Sequence, residues 1–310
     1  MQKPFALLKR IAEHPISTGC SGLAGAVALL TPVASQAGLL EMPEAFSPVI
    51  TAGVGLAFSA VFGYGMMAGT RRSLKLQRVG EKLHEINHLY RDRVGAFLDQ
   101  EGGEEHLEDD EPDDLEYGAQ LAREERETLH MVCQKVGDIF EVLTERQCMV
   151  SIRLISNDAT KLVLYTRSQK GTNRDQQGKR YTVKSFKTGQ NLGFDKAAER
   201  KDGYPSYYIS NDLVADERKE RFADERRIYP TFYKSVLIVP IRMCGDDSQN
   251  LLGFLYVDST ARNCFSRSRD LHLLCALADQ IYNYISLMRI GFMPEEALAR
   301  IDEILEKEEL

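Results

Sequence analysis

Two runs near the C-terminus decide the fold: Lys234-Ser235-Val236-Leu237-Ile238-Val239-Pro240-Ile241 and Leu252-Gly253-Phe254-Leu255-Tyr256-Val257-Asp258. They lie in two apolar stretches of strand length, Ser235 to Met243 and Leu251 to Val257, and Gly245-Asp246-Asp247-Ser248 supplies the turn between them. That is the pattern of an antiparallel hairpin. Working outward, Cys148 to Ile155 alternates as a strand, and Lys161 to Thr166 is a second one after a turn at Asn157-Asp158. Ser206 to Ile209 reads as a short aromatic strand. Leu129, Val132, Val136, Phe140 and Leu143 form a helical stripe, and Leu271 to Met288 is a long final helix. The charged run from Asp216 to Arg227 reads as a solvated helix face. The hairpins predict an α+β unit, a mainly antiparallel sheet with helices on one face.

The first run resembles the strand of GAF domains in which a serine precedes apolar residues and Val-Pro-Ile. The second resembles the glycine-containing strand that follows it there and ends in Asp or Asn. Phe265, then Leu273, Leu274 and Ala278-Asp279-Gln280, resembles the closing helix of that family. The resemblance implies a GAF-like sensory domain over 117–290, with one sheet face and its overlying loops enclosing a ligand pocket and terminal helices of a kind that often dimerise. Members of the family bind cyclic nucleotides, tetrapyrroles, small metabolites or nothing. Phe222-Ala223-Asp224-Glu225 departs in spacing from the cyclic-nucleotide signature, and no cysteine stands in a chromophore context, so no cofactor is expected.

Polar groups in and beside the strands are the candidate ligand-binding residues: Arg153, Tyr165, Arg167 and Arg174 near the first hairpin, Tyr207, Tyr208, Asn211 and Asp212 around the middle strand, and Lys234 and Arg242 at the ends of the Val-Pro-Ile strand. Arginine together with aromatic rings suits a phosphate-bearing, stackable, nucleotide-like ligand. No nucleophile–base pair, phosphate-binding loop or metal cluster appears, so this domain reads as a binder and not an enzyme.

The N-terminal quarter has a different character. Residues 16–40 hold no charge, 45–70 hold none, and only Glu41-Met42-Pro43-Glu44 separates them. A helix needs about 20 apolar residues to cross the hydrocarbon core of a bilayer, so the two runs predict a transmembrane α-hairpin. Lys3, Lys9 and Arg10 in residues 1–15 precede it, Arg71, Arg72, Lys75 and Arg78 follow it, and the turn carries no lysine or arginine. The positive-inside rule then puts both termini in the cytoplasm, at the inner membrane. Gly55, Ser59 and Gly63 share one helix face, and Gly19, Gly22 and Gly25 form another. Such small-residue faces allow close helix packing, within the hairpin or in a homo-oligomer.

Residues 71–98 predict a helical stalk. Leu76, Val79, Leu83, Ile86, Tyr90, Val94 and Phe97 make a seam for a coiled coil or for packing on another helix. The stalk contains His84-Glu85-Ile86-Asn87-His88, the H-E-x-x-H spacing that puts two imidazoles on one face, as metal ligands, with a glutamate able to activate zinc-bound water. Ile86 on the seam, Lys82 beside the motif and no evident third ligand favour a structural role for it. An acidic linker, 99–116, follows with eleven carboxylates and no lysine or arginine, and 291–310 predicts a C-terminal helix. The net charge of -7 argues against general nucleic-acid binding. Six scattered cysteines without a C-x-x-C pair read as reduced core thiols.

Two classes of function fit this order of parts. In one, the hairpin is the output: a membrane-disrupting, growth-arresting effector under control of the sensor. That architecture resembles the two-transmembrane effectors of bacterial anti-phage systems linked to retrons or cyclic oligonucleotides, and implies abortive infection. In the other, a membrane-tethered sensor acts as an adaptor on a separate regulatory partner. A zinc metalloprotease is the third possibility.

Overall fold

The computed structural model describes residues 48–102, 114–168, 185–187, 189–201, 204–205, 207–223, 233–242 and 251–300. For residues 48–62, 66, 100–102, 185–186, 200–201, 204–205 and 299 it describes the backbone alone. The chain divides into two units, Met1–Arg78 and Val79–Leu310.

Helix α1 runs over Pro48–Gly102 and α2 over Asp114–Thr144. Strands β1 (Cys148–Ile155), β2 (Lys161–Arg167) and β3 (Ser185–Lys187) follow. Next come the short helix α3 (Leu192–Ala198), the two-residue strands β4 (Arg200–Lys201) and β5 (Tyr204–Pro205), strand β6 (Tyr208–Ser210) and helix α4 (Leu213–Arg218). Strands β7 (Ser235–Arg242) and β8 (Leu251–Ser259), the long helix α5 (Asp270–Gly291) and the single turn α6 (Glu295–Ala299) complete the fold.

Six strands form one sheet in the order β3-β2-β1-β8-β7-β6, every pair antiparallel. Two devices set its shape. At Gly253 a Cβ would fall 1.9 Å from the Arg153 carbonyl oxygen, so only glycine lets β8 lie against β1 there. The β1–β2 register slips between Ile152 and Arg153, which turns Tyr165 to the helix side of the sheet.

Period-two alternation divides the sheet into two dissimilar faces. Val150, Ile152, Leu237, Val239, Leu255 and Val257 bury against α2 and α5, whose Leu129, Val136, Phe140, Leu274, Ile281 and Ile285 are inaccessible or nearly so. Burying each such side chain is worth about 1.5–3 kcal/mol. The other face carries a second apolar cluster beneath α3 and α4. Inside the first core sits an ion pair. The Arg289 guanidinium donates to both oxygens of the fully buried Glu125, at 3.0 and 3.2 Å, and the Tyr165 hydroxyl donates to the same carboxylate at 2.7 Å. Three elements, α2, α5 and β2, are thereby tied at one point.

The stalk seam finds its partner in its own domain. Val79, Ile86 and Phe97 are buried in the helix-side core, with Leu83, Tyr90 and Val94 packed against it, while Leu76 is 59% exposed. Tyr90 lies on Tyr284 and Phe97 on Phe292, with ring centroids 4.8 and 5.6 Å apart. Arg93 adds polar contacts to Glu124 (3.1 Å) and Thr128 (3.2 Å). Of the coiled coil and the neighbouring helix, the structure uses the second.

Among the described residues no helix is long and apolar enough to cross a membrane. Residues 16–40, with Gly19, Gly22 and Gly25, lie outside the described residues, and of 45–70 the backbone is described from Pro48. A Cβ added at Gly63 meets nothing within 4 Å among the described residues. Most of the linker, residues 103–113, and residues 301–310 lie outside as well.

Candidate functional site

The face of the sheet turned away from α2 and α5 assembles the polar groups that the apolar strands otherwise hide. Strand register places them in rows. Tyr208, Ile238, Tyr256, Ser151 and Arg167 form one row across β6, β7, β8, β1 and β2. Ser210, Val236, Asp258 and Met149 form the next, and Pro240, Phe254, Arg153 and Leu164 the one on the other side.

Two short segments cover these rows. Asn191 caps α3 by accepting from the Gly193 N–H at 2.9 Å. Gly193 lets the helix approach: a Cβ there would meet Asn191, Ile238 and Tyr208 at 3.0–3.1 Å. The approach seats Phe194 on Phe254 and Tyr256, with centroids at 5.2 and 5.9 Å. Beyond α4, which Asp212 caps by accepting from the Ala215 N–H, Phe222 stacks on Tyr208 at 5.9 Å. The Lys196 ammonium stands 5.8 Å from the Tyr208 ring centre.

Beneath this cover lies charge. Arg153 is 4% exposed and its guanidinium is 5.9 Å from the centre of the Tyr256 ring. Asp258 is fully buried one alternation further along β8. Burial raises the Tyr256 phenol above its ordinary range. Asp258 adds to the rise, and Arg153 works against it through its charge and a hydrogen bond. The Ser210 hydroxyl is buried without a hydrogen-bond partner among the described residues. A cation, two phenols, a carboxylate and an unsatisfied hydroxyl among aromatic rings can hold a small anionic ligand with a flat apolar part.

Of the residues singled out from the sequence, Arg153, Arg167 and Tyr208 stand in these rows. Tyr165 does not: the register slip sends it to the opposite face, where Glu125 accepts its hydroxyl proton and burial raises its phenol further. Tyr207 faces the helix-side core beneath the Arg267 guanidinium, 5.1 Å away. Asn211 holds the loop after β8, exchanging two 2.8 Å hydrogen bonds with the Phe265 backbone. Asp212 caps α4 and pairs with Arg262 at 3.2 Å. Lys234 is exposed, and its backbone bonds Leu213 and Ser259. Arg242 ends β7 beside an irregularity in its register with β8, and Arg174 lies outside the described residues. Sequence reasoning passed over Ser151, Ser210, Tyr256, Asp258, Phe194 and Lys196. Ser151 and Arg153, like Tyr256 and Asp258, are two residues apart in a strand, which was the available signal.

The H-E-x-x-H segment is built into the stalk joint. Lys82 donates to Glu85 at 2.8 Å, and Lys135 of α2 pairs with the same carboxylate. Lys135 first, then Lys82, hold Glu85 below its usual range. His84 and His88 are in contact through their Nε2 atoms at 2.9 Å, and Arg91 donates to His88 Nδ1 at 2.5 Å. No group of three metal-ligating side chains occurs among the described residues. Glu85 here fastens α1 to α2 by its charge.

The sequence model of the GAF domain family matches residues 124–285. No curated protein matches the chain. Among solved structures, the type II free methionine-R-sulfoxide reductase of Thermoplasma acidophilum is 15% identical. The match covers 54% of this chain and 96% of that one, with a TM-score of 0.39. The GAF domain of an Acinetobacter phosphoenolpyruvate-protein phosphotransferase is 16% identical over 58% of this chain and 99% of that one, at 0.37. Residues 122 to 287 of a methyl-accepting chemotaxis protein are 13% identical over 56% of this chain and 100% of that one, also at 0.37.

Proposed function

The chain belongs to the GAF domain family, and from that premise we propose that it is a ligand-sensing regulatory protein. Its site is the sheet face under α3, and its signal leaves through α1. The observation that carries the reading is Arg153. Its guanidinium is buried on the covered sheet face against the Tyr256 ring, so a fixed cation and an aromatic surface stand side by side, the pairing that suits an anionic ligand with a flat apolar part. The ligand class that suits the face is a small anion with an aromatic ring, nucleotide-like in kind. Binding closes α3 and the segment around Phe222 over the ligand. Because α2 and α5 bury one side of the same sheet and α1 packs on both, a shift of the sheet changes the seat of the stalk.

The test is thermal unfolding of the full chain in lipid nanodiscs against mononucleotides, cyclic and linear dinucleotides, and aromatic carboxylates. A ligand at 100 times its Kd stabilises the native state by about 2.7 kcal/mol. A saturable rise in Tm with at least one of these anions supports the reading. No rise with any of them contradicts it.

In the fuller form of this reading, residues 16–40 and 45–70 insert as a transmembrane hairpin at the inner membrane with both termini inside. The sensor controls how their small-residue faces associate, and the output is membrane disruption and growth arrest during phage infection. The charge-free runs and their basic flanks support insertion. A cytoplasmic reporter fused after Leu310 should be active and a periplasmic one silent. Induction of the full chain should depolarise cells, whereas Gly55→Leu should not at equal abundance.

A further inference from the structure

Before its seam begins at Val79, helix α1 carries a second stripe. Tyr64, Met67, Arg71, Leu74, Lys75 and Arg78 follow one another at steps of three, four, three, one and three residues. At 3.6 residues per turn they fall within about 100° of arc along about 21 Å of helix. Three of the six are apolar or aromatic and stand open to solvent: Tyr64 is 41% exposed, Met67 58% and Leu74 52%. The other three are cations, Arg71 and Arg78 exposed and Lys75 half-buried, with Arg72 exposed beside them. The whole stripe lies in the unit Met1–Arg78.

Its charge is unlike that of the rest of the chain. No carboxylate occurs between Glu44 and Glu81, so residues 64–78 hold four cations and no anion in a chain whose net charge is -7. Helix α1 is unbroken from Pro48, and the stripe therefore continues directly from the charge-free run 45–70.

We propose that this stripe binds the headgroups of anionic phospholipids, with Arg71, Lys75 and Arg78 on the phosphates and Tyr64, Met67 and Leu74 entering the bilayer interface. The proposal rests on the reading that the chain meets a membrane and goes beyond it by naming the lipid, because insertion needs only the apolar runs and any lipid serves them.

The interleaving selects the partner. Cations and apolar groups that share one exposed helix face match a surface offering phosphate and hydrocarbon within a few ångström of each other, which is the interface of an anionic bilayer. The arginine and lysine stems lie along the apolar side chains while their heads reach the phosphates, and a phenol suits the same depth. A second copy of the chain would set four cations against four. The acidic linker, 99–116, offers charge but only Leu107 and Leu115 to cover Met67 and Leu74. Each lysine or arginine at an anionic membrane surface is worth about fivefold in binding.

The chain contains no tryptophan, so Tyr64→Trp gives the full chain a single fluorophore at the stripe. The variant is reconstituted in phosphatidylcholine vesicles into which brominated phosphatidylglycerol or brominated phosphatidylcholine is titrated, and bromine quenching reads which lipid stands beside residue 64. The expected result is a preference for phosphatidylglycerol of about fivefold or more. It should fall to near unity in the triple variant Arg71→Gln, Lys75→Gln, Arg78→Gln, and in about 1 M salt, where the Debye length is about 3 Å. Arg146→Gln, which removes an exposed cation outside the stripe, should keep the preference. Extraction at alkaline pH reads insertion separately. A chain that resists extraction but is quenched equally by the two lipids overturns the proposal and leaves the membrane reading standing. A chain that is extracted but quenched by phosphatidylglycerol alone overturns insertion and supports the proposal. Quenching by neither lipid overturns the proposal. So does retention of a labelled duplex oligonucleotide at physiological salt that the triple variant abolishes, which would assign the stripe to nucleic acid.

Discussion

Tyr90 of α1 and Tyr284 of α5 lie ring on ring, 4.8 Å between centroids and 33° between planes. Burial raises both phenols above their ordinary range. The stalk is in this way part of the domain core, and the sequence-level seam has an unequal value along its length.

Ile86→Ala should therefore lower stability by about 2–5 kcal/mol, as for any large buried side chain removed without collapse of the site. Leu76→Ala, on the same stripe but 59% exposed, should stay within about 0.5 kcal/mol of wild type. Urea unfolding of the two variants measures both. Equal losses would mean that the stripe serves another chain along its whole length.

Glu125→Gln removes one partner of a buried ion pair and leaves Arg289 charged in the core, since a guanidinium keeps its proton without the carboxylate. The expected cost is about 3–5 kcal/mol. Tyr165→Phe removes one donor to the same carboxylate and should cost about 1–3 kcal/mol. If Tyr165 served a ligand instead, Tyr165→Phe would leave stability unchanged.

Gly118→Ala tests the crossing of α2 with α6. A Cβ at Gly118 would fall 2.0 Å from the Ala297 Cβ, and neither side chain has a rotamer with which to withdraw. The helices must separate, at about 1–3 kcal/mol. Amide exchange across 293–300 should rise with that loss, and unchanged exchange there would contradict the contact.

The pH dependence of Cys264 has a definite sign. Its folded-state pKa is depressed, so the thiolate persists below the range in which an ordinary thiol, near about 8.5, is deprotonated. Stabilisation from that thiolate is full above the ordinary thiol pKa and is lost as pH falls through the depressed one. Alkylation of Cys264 by iodoacetamide should stay fast at neutral pH, where Cys133 and Cys275 are slow. A rate that rises only above about 8 would contradict the depression.

Much of the sheet was legible in the sequence. The hairpin expected over Ser235 to Met243 and Leu251 to Val257 is β7 and β8, and the first hairpin is β1 and β2 within a residue. Alternation in long apolar runs carries that information locally. The family was legible for the same reason, because its motifs lie in those strands. The site was legible only in part. Tyr165 misled because the slip at Ile152/Arg153 arises from the pairing of β1 with β2, which neither strand encodes alone. Helix α3 was missed because Leu192–Ala198 is two turns long and has no stripe of its own. Asn211 and Asp212 looked like ligand groups because polar residues near a strand end serve caps and binding sites equally well. The seam from Val79 to Phe97 was visible, but its partner, α2 and α5 of the same chain, is a tertiary fact.

The measurement that bears most directly on the account is the affinity of the anion found by thermal unfolding for Arg153→Gln against the wild-type chain, at matched folding by circular dichroism. The account predicts a loss of about 2 kcal/mol or more, roughly thirtyfold in Kd, because a buried charge-assisted contact is removed. An unchanged Kd in a folded Arg153→Gln protein would place the ligand elsewhere and contradict the assignment of this sheet face as the sensing site.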